Sequence, residues 1–366
     1  MDWSPQQEEA LSAVSAWLKA RPSQVFRLFG FAGTGKTTLA RHLAEGVEGD
    51  VAFGAFTGKA AHVLRTKGCT DASTIHSMIY RPRGGDDEEG EGPSFTINRD
   101  SSAARASLIV IDECSMVDEE LGRDLLSFGT PVLVLGDPAQ LPPVKGGGFF
   151  TEAEPDVMLS EVHRQAADNP IIRLSMDIRE GKQLDYGTYG ESRVIHRREI
   201  DADAILAADQ VLVGRNKTRR LYNDRIRELM GYTSKMPEVG EKLVCLRNDK
   251  AKGLLNGGLW TVKAAHAPKR GKLQYDVTPE ETRRKRTVRV SIVPELFSDG
   301  ADDLPYALRR RSDEFAYGYA MTVHKAQGSQ WDDIVLFDES WAFREHSTRW
   351  LYTAVTRAAE TISIVK

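Results

Sequence analysis

Gly30, Gly35, Lys36 and Thr37 follow one another as Gly-x4-Gly-Lys-Thr within "VFRLFGFAGTGKTTLARHLAEG". That is the spacing of a phosphate-binding loop, and the flanking residues suit it. Residues 25–31 are apolar enough for a buried strand, and Leu39, His42 and Leu43 return at helical spacing. Gly30, Gly33 and Gly35 let the backbone curl. Successive N–H groups, through those of Thr37 and Thr38 at the helix start, can then face phosphate oxygens. Lys36 can reach the outer phosphates, and the Thr37 hydroxyl can ligate Mg2+. The bland alternative is a glycine turn with an accidental Lys-Thr; the strand–loop–helix setting weighs against it.

Two further strands end in polar residues. "ASLIVIDECSMVD" is a β-rich run closing on Asp112 and Glu113. A buried parallel strand delivers its C-terminal residues to the same sheet edge as the loop. Asp112 is thereby placed for Mg2+, directly or through water, and Glu113 to orient or deprotonate an attacking water. An acid beyond the metal ligand points to nucleotide hydrolysis, because binding alone does not need it. "PVLVLGDPAQLPPV" repeats the scheme and offers Gln140. Its amide can report a terminal phosphate, or the segment is a proline-stiffened loop; residue types leave both open.

These residues need a scaffold. A chain of 366 residues suits two or three domains, and 41% hydrophobic with 28% charged residues reads as a soluble globular protein. No run approaches the roughly 20 apolar residues of a membrane-spanning helix. "MDWSPQQEEALSAV" lacks the pattern of a secretory signal, so an internal, cytoplasmic location is expected. Cys69, Cys114 and Cys245 are far apart, suit neither zinc nor a disulfide framework, and read as small buried apolar residues. A net charge of −4 argues mildly against a compact nucleic-acid binder, though a groove can be locally basic.

In order along the chain stand "GFAGTGKTT", "FTGKAAHVLR", "STIHSMI", "VIDECSMVD", "VLGDPAQLPPV", "LSEVHRQ", "VHKAQGSQ" and "LYTAVTRA". The series resembles the successive motifs of superfamily 1 DNA helicases, most of all the RecD/Dda-like branch called superfamily 1B. The likeness runs from about Ser4 to Arg357. It implies an α/β fold of two RecA-like P-loop domains with parallel sheets and ATP in the cleft between them. It further implies that Gln7 contacts adenine and Gln140 senses the γ-phosphate. Arg164 and Arg357 would be arginine fingers. Read alone, each of those arginines is an ordinary surface or ion-pair residue.

The same resemblance implies a single-stranded DNA grip by Thr57, Gly58, Lys59, Thr74 and His76 in the first domain. Asn216, His324 and Lys325 would serve in the second. Gly328 would allow close backbone approach near the phosphates, and Gln330 would reach the ribose. Thr57, Gly58 and Lys59 also open an expected helix whose N–H groups suit a phosphate. Phe56 departs from the pattern, since relatives often carry proline there. His76, Tyr80 and Phe149 are candidates for base stacking, although aromatics more often build cores.

Two segments interrupt the alternation. Residues 80–106 hold the acidic centre "DDEEGEG" between short runs that can pair as a hairpin. The resemblance puts a strand-separating pin here, a small inserted 1B segment. Residues 232–311 hold short β-like runs that suggest a small barrel, where the resemblance implies an SH3-like 2B module. Its cluster "TRRKRTVR" either contacts phosphates or guards a strand edge. The expected domains are therefore 1–165 and 166–366, each interrupted by an insertion.

The expected function is an ATP-driven helicase moving 5′ to 3′ on single-stranded DNA, using ATP and Mg2+. Single strands and single/double-strand junctions would be its partners, with no membrane and as a monomer. Alternatives are a translocase that does not itself separate strands, and a P-loop phosphotransferase. Without an additional N-terminal domain the chain reads as a minimal version of the family, from a bacterium, phage or small mobile element.

Overall fold

The computed structural model describes residues 3–82, 95–143, 146–161, 169–249, 251–280, 286–298, 301 and 304–366. Its first lobe is built on a six-stranded sheet in the order Ser73–Thr74, Val51–Ala55, Leu108–Asp112, Val132–Gly136, Val25–Gly30, Val157–Leu159. Every neighbouring pair in it is parallel. Near-continuous apolar runs make such strands, because crossover helices cover both faces. The side chains divide by alternation. Leu108 and Val110 pack with Trp17, Leu28, Leu39 and Leu43 on one face. Ile109 and Ile111 pack with Met78, Leu121, Leu125 and Phe150 on the other.

The second lobe repeats the plan with Ala320–Thr322, Gln210–Val213, Trp331–Phe337, Ala358–Val365, Ser192–Ile195 and Gly187–Tyr189. It is parallel except for the last pair, which is antiparallel. Its helices include Pro170–Arg179, Asn216–Leu229 and Ser347–Val355. All three cysteines are free and buried. Among the described residues no helix is long and apolar enough to cross a membrane.

Between the second lobe's strands the chain leaves to form a five-stranded antiparallel sheet. The order is Val288–Ile292, Lys272–Pro279, Leu259–Lys269, Lys242–Cys245, Phe315–Tyr317. The sheet curls, because Asp313 N–H donates to Ser291 O at 2.9 Å and Ser291 N–H to Asp313 Oδ2 at 2.7 Å, bringing its two end strands together. One apolar cluster joins its Leu243, Trp260, Val277 and Val290 to Val211, Val213, Val335 and Phe337 of the second lobe. The buried pair Arg227 Nε–Glu241 Oε1 at 2.6 Å pins the helix Asn216–Leu229 to the same sheet. In the first lobe Tyr80–Pro82 pairs antiparallel with Phe95–Ile97. The acidic centre expected between them lies outside the described residues.

Glu339 fixes the wall from which Asn216, Arg219 and Arg220 project. Its carboxylate accepts from Gly214 N–H at 2.8 Å, Arg215 N–H at 3.1 Å, Arg215 Nε at 2.8 Å and the Thr218 hydroxyl at 2.7 Å. An anion at a helix start is favoured by the orphan N–H groups there. Burial raises this carboxyl's proton affinity, but the bonds from Thr218, Arg215 and Gly214 outweigh it and hold it below the usual glutamate range. A depressed folded-state value stabilises the fold above the unfolded value, and that contribution is lost as pH falls through the folded value. The thermal midpoint of the wild type should therefore fall more steeply than that of Glu339→Gln as pH drops below about 4.5. Parallel curves would remove this role from Glu339.

Candidate nucleotide site and nucleic-acid cleft

The loop expected to cradle phosphate turns through Gly33 and Gly35, whose φ values of 79° and 80° favour glycine. Gly30 is pinned by its neighbour, since a Cβ there would lie 2.8 Å from Leu159 Cβ. The helix Lys36–Glu45 starts directly after Gly35 and carries Thr37 and Thr38 in its first turn. Lys36 Nζ donates to the loop carbonyls of Gly30 at 2.6 Å and Phe31 at 2.9 Å. Gln7, buried behind the loop, donates Nε2 to Thr34 O at 3.1 Å and forms the capping box of the helix Pro5–Ala20 with Ser4.

The Thr37 hydroxyl donates to Asp112 Oδ2 at 2.9 Å, so the two oxygen donors expected for Mg2+ meet. They fit that ion, which binds one or two protein oxygens and completes its shell with water and phosphate. No group of three or more metal-ligating His, Cys, Asp or Glu occurs among the described residues. Glu113 follows with φ 53°, a left-handed conformation costly for a side-chain-bearing residue. Its N–H donates to Asp112 Oδ1 at 2.8 Å. Packing around its carboxyl pushes the proton affinity up, and the positive charges of Arg357 and then Lys36 act against the rise.

Arg357 comes from the second lobe. It is buried and braced by Thr353 O at 3.1 Å, Ser329 O at 3.2 Å and Thr356 Oγ1 at 3.2 Å. Gln140 is buried too, and its Oε1 has no hydrogen-bond partner among the described residues. Leu141 N–H donates to Thr353 Oγ1 at 2.9 Å and Gln327 Nε2 to Leu141 O at 3.0 Å, fastening the loop after Gln140 to the second lobe. Arg179 lies over the Phe31 ring at 3.5 Å. Arg164 lies outside the described residues, and Gln330 is exposed.

A cleft of about 560 Å³ opens where both lobes and the curled sheet meet. Thr57, Lys59, Asn216, His324 and Lys325 line it together. Thr57 Oγ1 accepts from Ala60 N–H at 3.1 Å and caps the helix Gly58–Thr66. Lys59 Nζ stands 4.4 Å above the Trp331 ring. Gly58 abuts the curled sheet, for a Cβ there would lie 2.7 Å from Asn248 Oδ1. Partial burial, aided by His346, lowers the His324 pKa, so the neutral ring prevails at pH 7. Phe56 lines the cleft as well and meets the His76 ring edge-on at 6.3 Å.

His76 itself opens into a second cavity of about 310 Å³, with Asp118, Glu120 and Asp124. Thr74 is buried and caps the helix Ile75–Ile79. Tyr80 gives its hydroxyl to Asp124 at 2.6 Å. Phe149 meets Phe150 edge-on and fills the space over Gly122, which makes it a packing residue. Sequence reasoning missed Arg219 and Arg220 as cleft residues. Their signal was the spacing of Asn216, Arg219, Arg220 and Asn223 on one helix face. It also missed Tyr352, whose hydroxyl accepts from Ala32 N–H at 3.1 Å and donates to Asp137 Oδ2 at 2.7 Å.

Two parallel-sheet lobes, a P-loop at their seam and a cleft beside it define a two-lobed P-loop nucleotide-binding protein. The chain belongs to the AAA-domain family, which it matches over residues 2–199, and residues 317–365 match the UvrD-like helicase C-terminal domain. It is 28% identical to the ATP-dependent RecD2 DNA helicase of Deinococcus radiodurans, over 91% of this chain and 46% of that protein. It is 24% identical to the conjugal transfer protein TraA of Rhizobium radiobacter, over 94% of this chain and 31% of that protein. The chain thus spans less than half the length of these two relatives. With the ATP-dependent DNA helicase Pif1 of Bdellovibrio bacteriovorus it shares 24% identity over 91% of this chain and 81% of that protein. The solved Candida albicans Pif1 helicase has the same fold, with TM-score 0.59, 18% identity, and coverage of 100% of this chain and 94% of that one. A Bacteroides Pif1 helicase in complex with ADP-AlF3 and ssDNA aligns at TM-score 0.57 and 17% identity, over 99% and 92% of the two chains.

The lobes also meet at Gly328, whose φ is 73° and whose Cβ would fall 2.9 Å from Ala60 Cβ and 3.2 Å from Thr57 Oγ1. Gly328→Ala should cost about 1–3 kcal/mol through the left-handed backbone, with the clash at Ala60 adding to it. Its thermal midpoint should fall. An unchanged midpoint would show that the backbone relaxes freely at this seam.

Proposed function

We propose that the chain is an ATP-hydrolysing motor on single-stranded DNA, a superfamily 1B helicase moving 5′ to 3′. The observation that carries the reading is the seam between the lobes, where Ala32 N–H of the loop donates to Tyr352 Oη at 3.1 Å and Leu141 N–H to Thr353 Oγ1 at 2.9 Å, just before the buried Arg357. A site shared in this way is complete only when the lobes are together. Gly33, Gly35, Lys36, Thr37 and Thr38 bind phosphate, Thr37 and Asp112 hold Mg2+, and Gln7 with Gln330 serves the nucleoside. Bound Mg2+ would neutralise phosphate charge. Glu113 takes a proton from the attacking water, Gln140 reads the terminal phosphate, and Arg357 with Arg164 stabilises the charge that develops there.

The cleft residues Thr57, Lys59, Asn216, His324 and Lys325, with Gly58, Thr74 and His76 beyond them, hold the strand. Gly328 makes the two sites neighbours, so a closing movement at one shifts the grip at the other. Domains 1–165 and 166–366 are the two RecA-like units in this reading. The segment 80–106, whose centre lies outside the described residues, serves as the pin. The insertion expected at 232–311 serves as an SH3-like module whose curled sheet runs on to Tyr317, and one chain suffices for activity. Direction rests on the resemblance to the RecD/Dda-like branch. A translocase without strand separation is the second reading. It is favoured by Asp118, Glu120 and Asp124 beside the paired strands, a surface that repels DNA phosphates.

Two matched duplexes, one with a 5′ and one with a 3′ single-stranded tail, test the proposal with Mg2+-ATP. Opening of the 5′-tailed duplex alone is expected. ATP turnover stimulated by single strands with neither duplex opened would select the translocase reading. Glu113→Gln should retain nucleotide binding and lose turnover by about 100-fold or more. Wild-type turnover in that variant would exclude Glu113 as the base.

A further inference from the structure

We propose that Tyr352 is a positioning residue that ties the second lobe to the phosphate loop and so makes ATP turnover responsive to what the cleft holds. The inference rests on the reading of the loop as an ATP site. It starts from one hydroxyl. Ala32 N–H donates to Tyr352 Oη at 3.1 Å, and that hydroxyl donates to Asp137 Oδ2 at 2.7 Å. A backbone N–H can only donate, and Asp137 Oδ2 accepts from the hydroxyl. The group between them must therefore do both, which a tyrosine hydroxyl can and a phenylalanine ring cannot.

The three partners belong to different parts of the machinery. Ala32 lies inside the loop between Gly30 and Gly35. Asp137 follows the strand Val132–Gly136, takes Ala139 N–H on its other oxygen at 3.0 Å, and leads to Gln140. Tyr352 is only 1% exposed and lies in the second-lobe apolar cluster with Trp350 and Ile362. Its helix also carries Thr353, which takes Leu141 N–H at 2.9 Å. Two successive side chains of one helix thus hold the loop and the polar segment after Asp137. Arg179 over Phe31 adds a second contact to the same loop.

A rigid-body shift of the second lobe would carry the Tyr352 hydroxyl with it. Ala32 N–H and the Asp137 carboxylate would then lose their shared partner together, a loss that is costly for the buried Asp137. The tie transmits lobe position to the loop backbone at Ala32 and to the segment bearing Gln140. It does not touch the reacting atoms, so its effect is on coupling.

The test uses the full chain with ATP and a poly(dT) strand, comparing stimulated with unstimulated kcat. Tyr352→Phe keeps the buried ring and removes only the oxygen. The stimulation ratio should fall by about tenfold, the size of one lost buried hydrogen bond. Asp137→Asn can accept from Tyr352 or from Ala139 but not from both, and should give a smaller loss. In the double variant the two effects should not add, because they break one chain. An unchanged ratio in Tyr352→Phe overturns the proposal. So does a fall in both rates in step with a lowered thermal midpoint, which is the mark of a purely structural tyrosine. Should the wild type itself show no ATP turnover, the reading of the site fails, a result distinguishable from failure of the tie.

Discussion

Glu113 is held in a strained backbone conformation with its carboxyl packed in the seam, where burial raises its proton affinity and positive charge from both lobes opposes the rise. Lys36 supplies it from the loop beneath, and Arg357 from the facing lobe. Much of the rest follows from placing those two cations. The first requires a glycine-rich loop tight enough for Lys36 to fold back on the carbonyls of Gly30 and Phe31. The second requires a buried guanidinium whose N–H groups are satisfied by its own lobe, which Thr353, Ser329 and Thr356 do. An arginine so braced can face an acid across a seam without collapsing onto it.

The same seam continues into the cleft. Gly328 permits the approach of Ala60 and Thr57, and Gly58 permits that of Asn248. Two small residues thus let three pieces of chain converge where the polar side chains gather. A cleft at such a junction changes shape whenever any of the three moves. A polar groove placed there suits a ligand gripped differently in two states.

Much of this was legible in the sequence because it is local. The phosphate loop, the acids ending the strand Leu108–Asp112 and the Thr57 cap are each patterns within a dozen residues. Strand and helix flank them at the expected periods. Long-range placement was not legible. Tyr352 stood in plain view in "LYTAVTRA", yet its hydroxyl meets a loop 320 residues away, and no short pattern encodes that. His76 and Thr57 looked alike as polar residues near a helix start, but only Thr57 lines the larger cleft. Phe149 could not be told from a stacking aromatic until Gly122 was found beneath it.

The cluster joining Trp260 and Val290 to Val211 and Phe337 bears on how such proteins acquire parts. An appendage with its own closed interior can be cut out or grafted elsewhere without injury to its host. Here the curled sheet is the far wall of the host's own interior, so excision would leave valine and phenylalanine facing water. A change of side-chain volume on one side of that wall therefore has to be matched on the other. Exchange of this piece between relatives would carry along the residues on the other side of the wall.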